Sequence, residues 1–234
     1  MTPTLIACSH GTRSPSGQVA IRALIDQVRT LLPHVRVLEA FVDVQEPAVA
    51  DVVADAVAEG PVVVVPVLLS TGFHTKVDIA EAVAPYGDRA VAAAPLGPHD
   101  LLALTLESRL EEVRLAADDS LILAAAGSTD PAAADAVRIV AGRLGTCLHR
   151  PVTVAFAAGA QPRIGDAVAA ARADGAERVV VASYVLAPGY FADVVSGAGA
   201  DVVTAPLAPD VRVAGVIAER YSEAVAKLAA PSAA

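Results

Sequence analysis

The sequence predicts an α/β protein of two tandem domains, each a parallel sheet of about four strands flanked by helices. Two observations carry this. Short β-branched runs alternate with Ala-rich stretches of helical length along the chain, the pattern of parallel strands joined by crossover helices. The pattern also occurs twice: "LIACSHGTR" (5–13) aligns with "LILAAAGST" (121–129), "FVDVQEP" (41–47) with "AFAAGAQP" (155–162), "VLLSTGFHTKVD" (67–78) with "YVLAPGYFADVV" (184–195), and "AAPLGPHDLL" (93–102) with "TAPLAPDVRV" (204–213). Four matches in one order at nearly constant offset place the junction near Asp118, giving domains 1–117 and 118–234, with packing of each half's closing helix on the other half as the alternative.

Taken in order, strands are expected near 3–9, 36–43, 62–69 and 90–94, with helices near 15–32, 47–59, 75–85 and 99–115. The second half repeats this with strands near 120–125, 151–157, 178–185 and 201–204, and helices near 131–145, 162–174, 190–197 and 208–228. Aromatic residues make up 3% of the 234 and Trp is absent, so the cores must be aliphatic.

Composition also excludes some functions. A formal charge of −9 with no basic stripe argues against a nucleic-acid partner. The longest apolar stretch, "PVVVVPVLL" at 61–69, is about half of a membrane span, and no basic segment precedes an apolar start, so a cytoplasmic protein with no membrane contact is expected. Cys8 and Cys147 are far apart with no CxxC or Cys/His spacing and read as small core residues. Neither "GxxxxGK[ST]" nor "GxGxxG" occurs, which argues against a nucleotide site.

Ligands of doubly wound sheets bind at the carboxyl ends of the strands. In the first half those ends hold His10, then Asp43 and Glu46, then His74. If the strand order is 2-1-3, as in flavodoxin-like folds, these strands are neighbours about 4.8 Å apart. Two imidazoles and a carboxylate could then converge on Fe, Co, Ni or Zn, or accept protons. Each histidine taken alone reads more readily as a hydrogen-bonded turn residue than as a ligand, and Glu46 before Pro47 equally suits a helix start. His34, His99 and His149 fall in a helix-to-strand connection, a helix start and a pre-strand loop and are read as structural. An anionic ligand would need local donors such as Arg13 and Lys76, one of only two lysines in the chain.

With "SHGTR", "FVDVQEP", "GFHTKVDI" and "PLGPHDLL", the chain resembles the class II tetrapyrrole chelatases of the sirohydrochlorin chelatase (CbiX/SirB) type over nearly its whole length. The resemblance implies chelatase-like domains and ATP-independent insertion of a divalent metal, Fe²⁺ or Co²⁺ with Ni²⁺ as a further candidate, into a sirohydrochlorin-like tetrapyrrole. It implies His10 and His74 as metal ligands and bases. The family's second-strand glutamate is here Asp43, one methylene shorter, while Glu46 keeps the motif's second acid. Ser9, Gly11, Thr12, Arg13 and Lys76 become candidates for holding the substrate's carboxylates. A monomer whose two repeats make an intramolecular pseudo-dimer is expected.

Two rival readings stay open. A histidine phosphatase carries its catalytic histidine after the first strand in "RHG", but here Ser9 stands in place of the arginine. A carrier could hold a metal or tetrapyrrole without inserting one. The repeat is also asymmetric: Ala126 answers His10, Phe191 answers His74, and the acids become alanine and Gln161. The second domain is therefore expected to be catalytically silent, with Arg163, Tyr184 and Tyr190 reading equally well as macrocycle contacts or as ordinary surface and packing residues.

Overall fold

A computed structural model describes residues 2–70 and 72–229, without the side chains of residues 73–76 and 229. The first repeat runs β1 (Thr4–Ser9), α1 (Pro15–Leu31), β2 (Val37–Phe41), α2 (Val49–Glu59), β3 (Val62–Pro66), α3 (Phe73–Val83), β4 (Ala90–Ala92) and α4 (Asp100–Glu112). The second runs β5 (Ser120–Ala125), α5 (Pro131–Leu148), β6 (Thr153–Phe156), α6 (Ile164–Ala173), β7 (Val179–Tyr184), α7 (Tyr190–Ser196), β8 (Val202–Val203) and α8 (Val211–Ala229). Each repeat builds a four-stranded parallel sheet, in the orders β2-β1-β3-β4 and β6-β5-β7-β8. No helix among the described residues is long and apolar enough to cross a membrane.

Local chemistry sets where the elements start and stop. Ser14 caps α1 by accepting from the Gly17 N–H at 3.3 Å, with Pro15 in the first turn, and Asp130 caps α5 by accepting from Ala132 at 2.9 Å, followed by Pro131. His99 caps α4, its Nδ1 accepting from Leu101 at 3.1 Å. β2 is shorter than expected because the chain doubles back after Phe41, whose N–H goes to the Pro47 carbonyl at 3.0 Å. β3 ends at Pro66, which brings no N–H to a ladder.

Because the crossovers are right-handed, α1 lies on one face of the first sheet and α2 with α3 on the other. Ile6, Cys8, Val62 and Val64 face α2 and α3, meeting Val53, Val57 and Ile79 in an aliphatic core. Leu5, Ala7, Val63 and Val65 alternate to the opposite face and are equally buried. The second sheet repeats this with Ile122, Ala124, Val179 and Val181 against Ile164, Val168 and Val195.

Packing does not follow repeat order. The chain forms two compact units, Met1–Leu96 with Val213–Ala234, and Gly97–Arg212. The last helix of each repeat thus packs in the unit built on the other repeat's sheet. In the first unit, α8 is anchored by the Tyr221 hydroxyl donating to Pro3 at 2.6 Å and by Arg220, whose Nε donates to the Pro95 carbonyl at 2.9 Å and Nη2 to that of Leu96 at 3.3 Å. In the second, Arg109 on α4 reaches the carbonyls of Pro206 and Pro209, both at 3.3 Å. Pro95 and Pro206 are matching positions of the repeat, so two related arginines grip two related loops. Arg220→Ala would strip two carbonyls of a charged donor and is expected to cost about 1–3 kcal/mol, read as a lower urea midpoint.

Candidate functional site

β1 ends at Ser9 and delivers His10 to the carboxyl rim of the first sheet. The loops after β1 and β2 are stapled there by backbone: Val42 N–H donates to Ser9 at 2.9 Å and Asp43 N–H to the His10 carbonyl at 3.0 Å. His10 and Asp43 are therefore brought together, both exposed. Glu46 lies further along the same loop, exposed, just before the return to α2. β3 pairs with β1 through Cys8 and Pro66, so α3, which follows β3, opens on this rim with His74 and Lys76 in its first turn. The side chains of His74 and Lys76 lie outside the described residues. Among the described residues no three His, Cys, Asp or Glu side chains are grouped closely enough to hold a metal ion.

Gly11 permits the close approach of the two loops. Its φ is +92°, and a Cβ there would fall 2.1 Å from the Asp43 carbonyl oxygen. Val44 also sits at positive φ, +66°, costly for a β-branched residue. The turn is held by Asp43 Oδ1, which accepts from the Val44 N–H at 2.7 Å, and by Gln45 N–H, which donates to the Asp43 carbonyl at 2.7 Å.

The remaining candidates have distinct settings. Ser9 is buried, 7% exposed, and gives its carbonyl to the staple. The Thr12 N–H is taken by Gln45 Oε1 at 2.8 Å and its Oγ1 accepts from Ser14 at 3.1 Å, leaving the hydroxyl proton as its available donor. Arg13 is exposed at the rim. Cys8 is sealed in the core, where burial and the charge of Asp78 push its thiol up to about 12, so it stays protonated and unreactive at neutral pH. His149 is a helix cap, donating from Nδ1 to the Cys147 carbonyl at 3.1 Å.

The second rim has the same backbone without the chemistry. Ala157 donates to Ala125 at 2.9 Å, Ala158 to Ala126 at 2.8 Å and Ala160 to Ala158 at 2.7 Å, reproducing the first staple bond for bond. This register sets Ala126 against His10, Ala158 against Asp43 and Gln161 against Glu46. Phe191 is the second residue of α7, as His74 is of α3. Tyr190 and Phe191 are 74% and 38% exposed, with ring centroids 5.3 Å apart in an edge contact. Of the two readings of Tyr184, the structure supports packing: it is 3% exposed within β7, where burial raises its hydroxyl pKa. It fills the core.

The CbiX family model matches residues 4–113 and again 120–224. The chain belongs to the CbiX family. Among solved structures it is similar to SirB from Bacillus subtilis with Fe³⁺, at 19% identity and a TM-score of 0.80 with 97% of each chain covered. It is similar also to the sirohydrochlorin chelatase SirB from Bacillus subtilis subspecies spizizenii in complex with cobalt, at 19% identity and TM-score 0.76, again over 97% of each chain. A multi-domain protein of Deinococcus radiodurans with structural similarity to chelatases matches at 20% identity and TM-score 0.70, over 96% of this chain and 56% of that one. No curated protein matches the chain.

Two residues of this CbiX chain escaped the sequence reading. Gln45 lies within "FVDVQEP" and Gln18 in α1, yet both reach the loop carrying His10: Gln45 accepts from the Thr12 N–H, and Gln18 Nε2 donates to the Thr12 carbonyl at 2.8 Å. A signal was present in the repeat, since Ala160 and Ala134 stand at the matching positions.

Proposed function

We propose that this CbiX-family protein is a sirohydrochlorin chelatase: it inserts a divalent metal, Fe²⁺ or Co²⁺ with Ni²⁺ as a further candidate, into a sirohydrochlorin-like tetrapyrrole without a nucleotide. The observation that supports this is the asymmetry of the two CbiX repeats: His10, Asp43, Glu46 and His74 follow the strands of the first, and alanine, Gln161 and Phe191 stand at the matching positions of the second. The SirB structures with Fe³⁺ and with cobalt support a metal as substrate.

Insertion requires three things of the protein: exchange of water on the ion, delivery of the ion to the macrocycle, and removal of two pyrrole protons. An imidazole can be a ligand or a base near neutral pH, so His10 and His74 suit both tasks in turn. Asp43, stapled beside His10, supplies negative charge for the ion, with Glu46 on the same loop. Arg13, Lys76, the Thr12 hydroxyl and the Gly11 backbone are the donors for the substrate's carboxylates.

Anaerobic time-resolved absorption of sirohydrochlorin with Fe²⁺ or Co²⁺ tests the reading. A chelatase accelerates the spectral change over the spontaneous rate, with many turnovers per chain. A carrier gives a shift limited to the amount of protein and no acceleration, which would overturn the proposal.

A further inference from the structure

We infer that Gln45 and Gln18 are positioning residues that clamp the His10 loop from both sides, a device present only in the repeat that carries His10. Thr12 is two residues beyond His10, and both of its backbone polar groups are held by side-chain amides: the N–H by Gln45 Oε1 and the C=O by Gln18 Nε2, each at 2.8 Å. With the His10 carbonyl bound by Asp43 N–H at 3.0 Å, the segment from His10 to Thr12 has fixed bonds at both ends. An exposed histidine on an unbraced loop would sample many orientations. Fixing the backbone on either side of Gly11 removes the backbone's share of that freedom and leaves the side-chain torsions.

The second repeat explains why the first needs the clamp. There Gly159, at φ +69°, occupies the place of Val44, and its loop closes directly on Ser128: a Cβ on Gly159 would fall 2.6 Å from the Ser128 carbonyl carbon. Val44 carries such a Cβ, so the same closure is blocked in the first repeat. The Gln45 side chain spans the resulting separation to Thr12, the counterpart of Ser128. The β-branched residue held at φ +66° sets Gln45 next to it, so the unfavourable turn and the clamp form one device. Ala160 and Ala134 provide no amide in the second repeat, where Ala126 leaves no imidazole to aim.

The two amides play opposite hydrogen-bonding roles, which makes the clamp testable in the full-length protein. At position 45 an acceptor is required, so Gln45→Glu should restore what Gln45→Met removes. At position 18 a donor is required, so Gln18→Glu should behave like Gln18→Leu. The first readout is the His10 ring resonance in histidine-labelled, metal-free protein, assigned with His10→Ala. It should shift or broaden in Gln45→Met, Gln18→Leu and Gln18→Glu, and return towards the parent position in Gln45→Glu. The second is anaerobic Co²⁺ binding followed by visible absorption, where the impaired variants should bind about 10-fold more weakly with an altered band. If the activity proposed above is wrong, insertion assays fail for the parent protein while the ring resonance still reports the clamp. Should Gln45→Met fail to fold, Gln18→Leu tests the clamp at the other backbone group of the same residue, the Thr12 carbonyl. A His10 resonance unchanged in Gln45→Met and Gln18→Leu, or equal effects of Met and Glu at position 45, would overturn the inference.

Discussion

Replacing His10 with alanine is expected to lower the rate of metal insertion by about 10²–10⁴-fold, the range for loss of a positioned acid–base group, while leaving the fold intact. The structure carries its own control for the second half of this statement. Ala126 already occupies the matching place in the second repeat, and its carbonyl accepts the same staple bond at 2.8 Å that the His10 carbonyl accepts at 3.0 Å. The imidazole is exposed and the backbone bond survives its loss, so the urea midpoint should move little. Asp43→Ala should cost less activity than His10→Ala, though it also releases the Val44 N–H from its carboxylate acceptor. A His10 variant with parental turnover would remove the histidine from the mechanism.

A large loss of stability is expected from Gly11→Val. The substitution forces a β-branched residue to φ +92° and places its Cβ 2.1 Å from the Asp43 carbonyl oxygen, a backbone atom that cannot swing aside. A loss of about 3 kcal/mol or more follows from the strain and clash together. Gly127→Val is the matched comparison, with φ +86° and a Cβ 1.8 Å from the Ala158 carbonyl oxygen. Both variants should show a reduced urea midpoint, but at temperatures where the chain stays folded only Gly11→Val should also impair Co²⁺ binding. Equal loss of binding in the two would mean that the second rim shares in the metal site.

The sequence was most legible where a periodic pattern or a repeat carried the information. Both sheets and their flanking helices could be read from the alternation of β-branched runs and Ala-rich stretches, because parallel strands buried on both faces leave continuous apolar runs. His10 and Asp43 could be placed at one rim because a parallel sheet brings the ends of successive strands to the same edge. Three features were not fully legible, each for a physical reason. The packing of α4 and α8 on the other half could be read only as an alternative, because an amphipathic helix shows which side is buried but not which sheet buries it. Tyr184 stayed open between packing and macrocycle contact because alternation in a fully buried strand does not distinguish core from rim, and a large aromatic at a strand end fits either. Gln18 and Gln45 were missed because a side-chain amide bonding to a distant backbone group has no local signature. The Gly159 counterpart of Val44 could have flagged the second loop, since a glycine opposite a β-branched residue in aligned repeats marks a backbone that only one of them adopts without cost.

The central claim is a single metal-handling rim, on the first repeat, built around His10. Equilibrium titration of the full-length protein with Co²⁺ under anaerobic conditions, repeated on His10→Ala and on Phe191→Ala, tests it most directly. The expected result is one high-affinity ion per chain, lost in His10→Ala and retained in Phe191→Ala. Two equivalent high-affinity ions per chain, or one that survives the loss of His10, would contradict it.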